Sequence, residues 1–337
     1  MPSLTTRSVN PGRDWPDAPF LALDLDAFER NVKHIADTIV AQGGKQWRPH
    51  TKALRCPEIA KRLIAAGARG VTCATTWEAQ TMVDAGIRDV LIASQVVAPS
   101  ALRQLAAMNR GARVMAAIDS SAHIALLTAA AQAAATVIPV VIEVDIGLQR
   151  AGMAPGAATI DLARAAHGHP HLRFCGFMAW EGQTTRFTDP VEKGAAVRAS
   201  VGLLIDTARQ CTEAGLPVDI VSCGGTGTYP MTSQIDGVTE LQAGGGVYGD
   251  LRYRTQFRMP LEPALTLFAT VLSRPSARRI VPDPGWKYHG YHPTQSQPLR
   301  VPGNPQLSFS AEHLTLDCDV NVAGFTVGER IEFALGY

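Results

Sequence analysis

The chain has 337 residues, 31 Lys and Arg against 30 Asp and Glu, and a formal net charge of +1. Its 46% hydrophobic residues can fill one large core or two medium ones. The charges are interspersed, which excludes the basic footprint of a nucleic-acid binder and the polybasic arm of a membrane-surface protein. Six cysteines, Cys56, Cys73, Cys175, Cys211, Cys223 and Cys318, form no CxxC pair and no zinc-ligand spacing. Free thiols in apolar runs suggest a reducing, cytoplasmic setting. The stretch from Met1 to Trp15 is polar, without the apolar region of a secretory signal. No apolar run reaches the length of a membrane span.

In chain order, Phe20 to Leu25 reads as a strand, with Asp26 as a candidate cap for a helix from Ala27 to Ala41. From Trp47 onward, apolar strand-like runs alternate with helical patterns. The strands are Trp47 to Lys52, Gly70 to Thr75, Val90 to Ser94, Arg113 to Asp119, Val137 to Asp145, Leu172 to Trp180, Val218 to Cys223 and Val238 to Ala243. The helices are Pro57 to Ala66, Trp77 to Ala85, Pro99 to Met108, Ala122 to Ala133, Ile160 to Ala166 and Pro190 to Ala214. Gly67, Gly86, Gly168 and Gly215 stand where helices should stop. About eight near-continuous apolar strands, most followed by helices, point to an α/β fold: a (β/α)8 barrel. An open doubly wound sheet is the competitor, but no glycine-rich turn follows the first strand.

After Asp250 the helical periodicity ends. Ala264 to Leu272, Arg278 to Val281, His313 to Cys318 and Glu329 to Leu335 read as strands, separated by proline-rich loops such as Tyr291 to Pro305. The expected organisation is residues 1–26 joining a smaller β domain, 27–250 as the barrel, and 251–337 as that β domain.

Chemistry is expected where strands of such a barrel end. Lys52 closes the first barrel strand, and a lysine in an apolar barrel mouth loses its proton readily, a candidate Schiff-base amine. For a lone lysine a surface role is commoner. After the seventh strand comes Gly224-Gly225-Thr226-Gly227-Thr228, and after the eighth Gly244-Gly245-Gly246. Glycines let backbone N–H groups approach an anion, and threonines add hydroxyls. No Gly-Lys-Ser/Thr follows, so this is no nucleotide P-loop. Strand eight closes against strand one, which makes Lys52 a neighbour of the glycine turns. A lysine beside a single-phosphate cradle suggests pyridoxal 5'-phosphate. Arg150, after the fifth strand, falls on the same rim, where it could face the cofactor's pyridine nitrogen.

The order of motifs resembles the fold-type III pyridoxal phosphate enzymes, the alanine racemase-like barrels. Within them it is most similar to the D-threonine aldolase and D-serine dehydratase group. The resembling stretches are Arg48-Pro49-His50-Thr51-Lys52 with Cys56-Pro57-Glu58-Ile59-Ala60, Glu143-Val144-Asp145 to Arg150-Ala151-Gly152, Gly224 to Thr228, and Thr239 to Gly244. The resemblance implies Lys52 as the Schiff-base lysine and Arg150 as partner of the pyridine nitrogen. It implies a phosphate held by Gly225, Thr226, Gly227, Thr228, Gly244 and Gly245. Trp180 stands where the group usually has a tyrosine near the cofactor, and Leu54 where it usually has a second histidine. These lyases bind a divalent metal (Mn, Mg or Zn) through ligands near the C-terminus. Here Gly328-Glu329-Arg330 runs on to Gly336-Tyr337 without them, so no metal ligand is assigned, and either a truncated end or a lost metal site is expected. His289, His292 and His313 are the histidines nearby.

The function expected is a lyase acting on a small β-hydroxy D-amino acid, with retro-aldol cleavage to glycine and an aldehyde first. A D-serine dehydratase-like ammonia-lyase, a racemase and a non-catalytic cofactor-binding protein are the alternatives. Lys52 or His50 would be the base. Racemisation needs a second base, for which Tyr253, Tyr288 and Tyr291 are candidates. The resemblance also implies a homodimer.

Overall fold

In the computed structural model residues 16–290 and 295–336 are described. The Met1 to Trp15 stretch, Tyr291, His292 and Tyr337 lie outside them. Two compact units share the chain: one runs from Val32 to Gly245, the other joins the residues up to Asn31 with those from Gly246 onward.

The chain opens with β1 (Phe20–Leu23) and α1 (Leu25–Ala36). The cap of α1 is Asp24, whose Oδ1 accepts the Ala27 N–H at 3.0 Å, rather than Asp26. α1 then widens into a π-type turn over Asp37–Gln42, short of the single helix expected to Ala41.

Within the first unit eight parallel strands follow. They are β2 (Gln46–Trp47), β3 (Val71–Cys73), β4 (Asp89–Gln95), β5 (Arg113–Ile118), β6 (Ile138–Glu143), β7 (Leu172–Met178), β8 (Ile220–Cys223) and β9 (Glu240–Leu241). Their order is β2-β9-β8-β7-β6-β5-β4-β3, and a parallel bridge between His50 and Thr72 joins the two ends. The Thr72 N–H reaches the Pro49 carbonyl at 3.0 Å across that seam. The ring closes, as the alternation of elements predicts, and closure leaves no strand edge to aggregate.

Helices follow the staves: α2 (Pro57–Ala65), α3 (Thr76–Asp84), α4 (Pro99–Met108), α5 (Ser121–Ala133), α6 (Ala157–His167), α7 (Pro190–Glu213) and the short α8 (Tyr229–Thr232). Proline opens α2, α4 and α7, where a missing N–H costs nothing. Asp189 caps α7 by accepting the Val191 and Glu192 N–H groups at 2.9 Å. Gly67 ends α2 in the left-handed region at φ +105°, whereas Gly168 ends α6 at φ −74°, a conformation open to any residue. All six residues of β6 are buried, as a parallel sheet covered on both faces requires. Leu91, Met115, Ala117, Val141, Cys175, Met178 and Ile220, all strand residues, form one buried cluster.

The second unit is antiparallel. Its strands after the barrel are β10 (Leu265–Ser276), β11 (Arg279–Pro282), β12 (Gln297–Pro298), β13 (Gln306–Phe309), β14 (Leu314–Asp317) and β15 (Arg330–Ala334). A short helix, α9 (Trp286–His289), lies between β11 and β12. β1 pairs with β10, Phe20 opposite Phe268. β12 falls inside the proline-rich stretch read as loop, and β13 was not expected. Both are short, and β12 ladders only through Gln297 and Pro298, at the sheet edge where proline is tolerated.

Candidate active site

Lys52 does not end a strand as expected. It sits one turn further on, in a 3-10 turn over Thr51–Ala53. Proline at 49 ends the regular ladder, and the next residue makes the turn: the His50 ring Nδ1 accepts the Lys52 backbone N–H at 3.3 Å. Lys52 is exposed by surface area. Yet burial is the first cause lowering its pKa below the usual lysine value, and the charge of Arg150 the second. His50 is driven to about 3 by burial first and by the charges of Lys52 and Arg150, against a weaker upward pull from the Thr72 carbonyl. It is therefore a neutral imidazole at any working pH.

Arg150 stands in the loop after β6. Its Nη2 reaches the buried Glu143 Oε1 at 3.3 Å, and the Arg150 side chain is 56% exposed. The three groups singled out from the sequence, Lys52, His50 and Arg150, are thus close enough to perturb one another.

The glycine turns meet this point from the other side of the seam. A Cβ on Gly244 would collide with the backbone of His50, so only glycine lets the β9 turn lie against the residue that caps the lysine turn. The other turn, after β8, is tied from behind by Glu181, which sequence reasoning missed. Glu181 is fully buried, and its carboxylate accepts the Gly224 N–H at 3.1 Å and the Thr228 and Thr232 hydroxyls at 2.8 Å each. Thr228 Oγ1 in turn accepts the Gly225 N–H at 3.1 Å. Gly225 and Thr228, two of the expected phosphate contacts, thus satisfy each other, while Thr226 is buried in the same turn. The backbone N–H groups of Gly227, Gly244 and Gly245 donate to no acceptor among the described residues. Gly227 and Gly244 are buried and Gly245 half-buried, where amides rarely stay unpaired, so these donors fit an anionic group such as a phosphate. The indole of Trp180 fills the space beside Gly225 and Gly182, where any Cβ would strike it. A charged residue directly after an apolar strand, in Trp180-Glu181-Gly182, was the signal for Glu181.

Among the described residues no three His, Cys, Asp or Glu side chains converge as a metal site. His289 is buried against Phe309 and Phe333, and the His313 backbone carbonyl accepts the Ser310 N–H in a turn. Of the tyrosines considered for racemisation, Tyr253 is buried and Tyr288 exposed.

The family described as alanine racemase, N-terminal domain, matches residues 23–252. The chain belongs to that family. Its members include the fold-type III pyridoxal phosphate enzymes that the motifs resemble. A second family, "Putative serine dehydratase domain", matches residues 264–337. The chain is 33% identical to a D-threonine aldolase of Arthrobacter sp over 298 residues, covering 88% of this chain and 78% of that protein. It is 31% identical to a 3-hydroxy-D-aspartate aldolase of Paracoccus denitrificans (strain Pd 1222), over 82% of this chain and 74% of that one. The crystal structure of D-threonine aldolase from Filomicrobium marinum superposes with a TM-score of 0.89 at 34% identity, covering 95% of this chain and 88% of that one. No helix among the described residues is long and apolar enough to cross a membrane.

Proposed function

We propose that the chain is a pyridoxal phosphate-dependent lyase that cleaves a small β-hydroxy D-amino acid between Cα and Cβ, giving glycine and an aldehyde. The observation that carries the reading is the meeting of a lysine of lowered pKa with a glycine turn whose amides are unpaired. The aldolase names of the similar proteins support the choice of bond.

Lys52 would hold the cofactor's carbonyl carbon, Gly227, Gly244 and Gly245 its phosphate, and Arg150 its pyridine nitrogen. Trp180, beside the glycine turn, would wall the site. The cofactor, when bound, supplies a carbonyl that condenses with amines and a ring that takes up electron density. Burial and Arg150 keep a larger share of Lys52 unprotonated near neutrality than in water, which suits it to attack a carbonyl and to move a proton. His50 keeps the Lys52 turn in place as a neutral ring, and its acceptor nitrogen is already engaged. An arginine cannot give up its proton, so at the pyridine nitrogen Arg150 would donate a hydrogen bond and leave that nitrogen unprotonated. That would restrain the ring as an electron sink. A homodimer and a cytoplasmic setting belong to the same reading, the first by resemblance and the second on the unpaired cysteines.

The dehydratase reading is favoured by the match over residues 264–337 and by a dehydratase among the similar proteins. Product analysis with D-threonine, D-serine and a 3-hydroxy-D-aspartate separates the two, with and without added divalent metal. Glycine plus aldehyde is expected. Ammonia plus keto acid would replace the aldolase by the dehydratase, and inversion without either product would replace both by a racemase.

A further inference from the structure

β4 is irregular where it ends. Ile92 pairs with Ala116 but Gln95 pairs with Ala117, so two extra residues bulge out of the ladder just before the strand opens into its loop. Bulges re-aim side chains and recur beside active sites. This one turns Gln95 toward the Arg150 loop. The Gln95 Nε2 lies 2.6 Å from Glu143 Oε2 and 3.2 Å from Asp119 Oδ2. Carboxylates only accept, so the amide must present its NH2 to both, one hydrogen each.

Each of those carboxylates holds a different part of the loop. Glu143 takes the Arg150 guanidinium on its other oxygen at 3.3 Å. Asp119 Oδ2 takes the Gly152 backbone N–H at 3.0 Å. The loop is pinched at its base, where the Met153 N–H reaches the Glu143 carbonyl at 2.9 Å and the Asp145 N–H reaches the Met153 carbonyl at 2.8 Å. Asp145 Oδ1 accepts the Gly147 and Gln149 N–H groups at 3.0 Å each, with Gln149 in the left-handed region at φ +56°. Arg150 follows directly. Its backbone is therefore wound tightly, while its side chain has a single ion pair within the barrel unit.

We infer that Gln95 is a positioning residue: by bridging Glu143 and Asp119 it fixes the side chain and the loop that aim Arg150. Removing it leaves two carboxylates facing each other without the shared donor, and Glu143 free to swing with its arginine. The inference rests on the proposed cofactor site only for its catalytic consequence. The aiming of Arg150 is a property of the protein without cofactor.

The test uses Gln95→Ala and Gln95→Glu in the full chain, with arginine side-chain 15N NMR of the cofactor-free protein and the Arg150 signal assigned by Arg150→Lys. Both variants should melt within a few degrees of the parent. The Arg150 Nε–H signal should lose order, more in Gln95→Glu, where a third carboxylate stands in place of the donor. In pyridoxal phosphate-loaded protein, kcat should fall about tenfold with a smaller change in KM, the scale seen when an outer hydrogen-bond partner is removed. An unchanged Arg150 signal in both variants overturns the inference. A loosened Arg150 in a chain that takes up no pyridoxal phosphate would instead sink the cofactor reading and leave the positioning role standing. If Arg150→Ala lowers kcat in loaded protein while both Gln95 variants keep it, the cofactor reading survives and Gln95 has no positioning role.

Discussion

Two arginines of the barrel unit are each held by a buried glutamate, and they behave in opposite ways. Arg48 is wholly buried, with its Nε 2.8 Å from Glu240 and its Nη1 2.8 Å from Asp89. Glu240 also accepts the Ser222 hydroxyl at 2.9 Å, and Asp89 is shared with Arg69 and Arg113. Asp89 and Arg113 begin β4 and β5, so this network belongs to the end of the barrel away from the lysine turn. Arg150, at the opposite rim, makes one longer ion pair and keeps more than half its side chain in solvent. An arginine whose charge the fold buries between two carboxylates is structural; one whose guanidinium stays largely in solvent is available to a ligand.

That contrast can be broken by substitution. Arg48→Ala leaves Glu240 and Asp89 without their buried counter-charge, and about 3–5 kcal/mol of stability should be lost. Urea or thermal unfolding would show it, whereas Arg150→Ala should leave the melting point nearly unchanged. Equal losses from the two would erase the distinction between the ends of the barrel. Gly244→Ala comes next. Its Cβ collides with the His50 backbone, and overpacking of this kind costs about 1–3 kcal/mol. Because the collision lies at the rim, it should also weaken pyridoxal phosphate uptake, which an equally destabilising change at the far end would not do.

Most of the barrel was readable because its apolar strands and its helix punctuation obey local rules. Pro57, Pro99 and Pro190 mark helix starts, and the glycine turns fall after the seventh and eighth strands. The seam was harder. β2 ladders over only Gln46 and Trp47, and the stave continues through irregular bonds at Arg48 and His50 that no alternation announces. The roles of the site's supports were hidden for a different reason. Glu181, Gln95 and Asp119 act on residues 24 to 51 positions away, and only the closed ring brings them there. In the β unit, β12 and β13 are defined by their partners rather than by their own composition.

The smallest effect expected is one of acid. In the β unit, His289 is 6% exposed, with neither ring nitrogen partnered among the described residues, and burial lowers its pKa to about 4. The unfolded chain takes up this proton below its ordinary value near 6.5, the folded one not until about 4, so stability of this unit falls across that window. At pH 5 the loss is at most about 2 kcal/mol. Asp89 behaves otherwise. Burial raises its carboxyl, but Arg48, Arg113 and Arg69 outweigh burial and hold it below the ordinary 3.8, so its contribution is present above that value and lost only as pH falls further. Hydrogen exchange at pH 5 should therefore loosen β13 and β15, which carry Phe309 and Phe333 against His289, before β4 and β5. His289→Leu should remove the difference, and loosening of β4 and β5 first would contradict the assignment.

The account turns on which amine meets the cofactor. Incubating the chain with pyridoxal phosphate, reducing with borohydride and mapping peptides should place a single pyridoxyl group on Lys52, with labelling abolished in Lys52→Ala. A label on Lys45 or Lys193, or no covalent label at saturating cofactor, would contradict it.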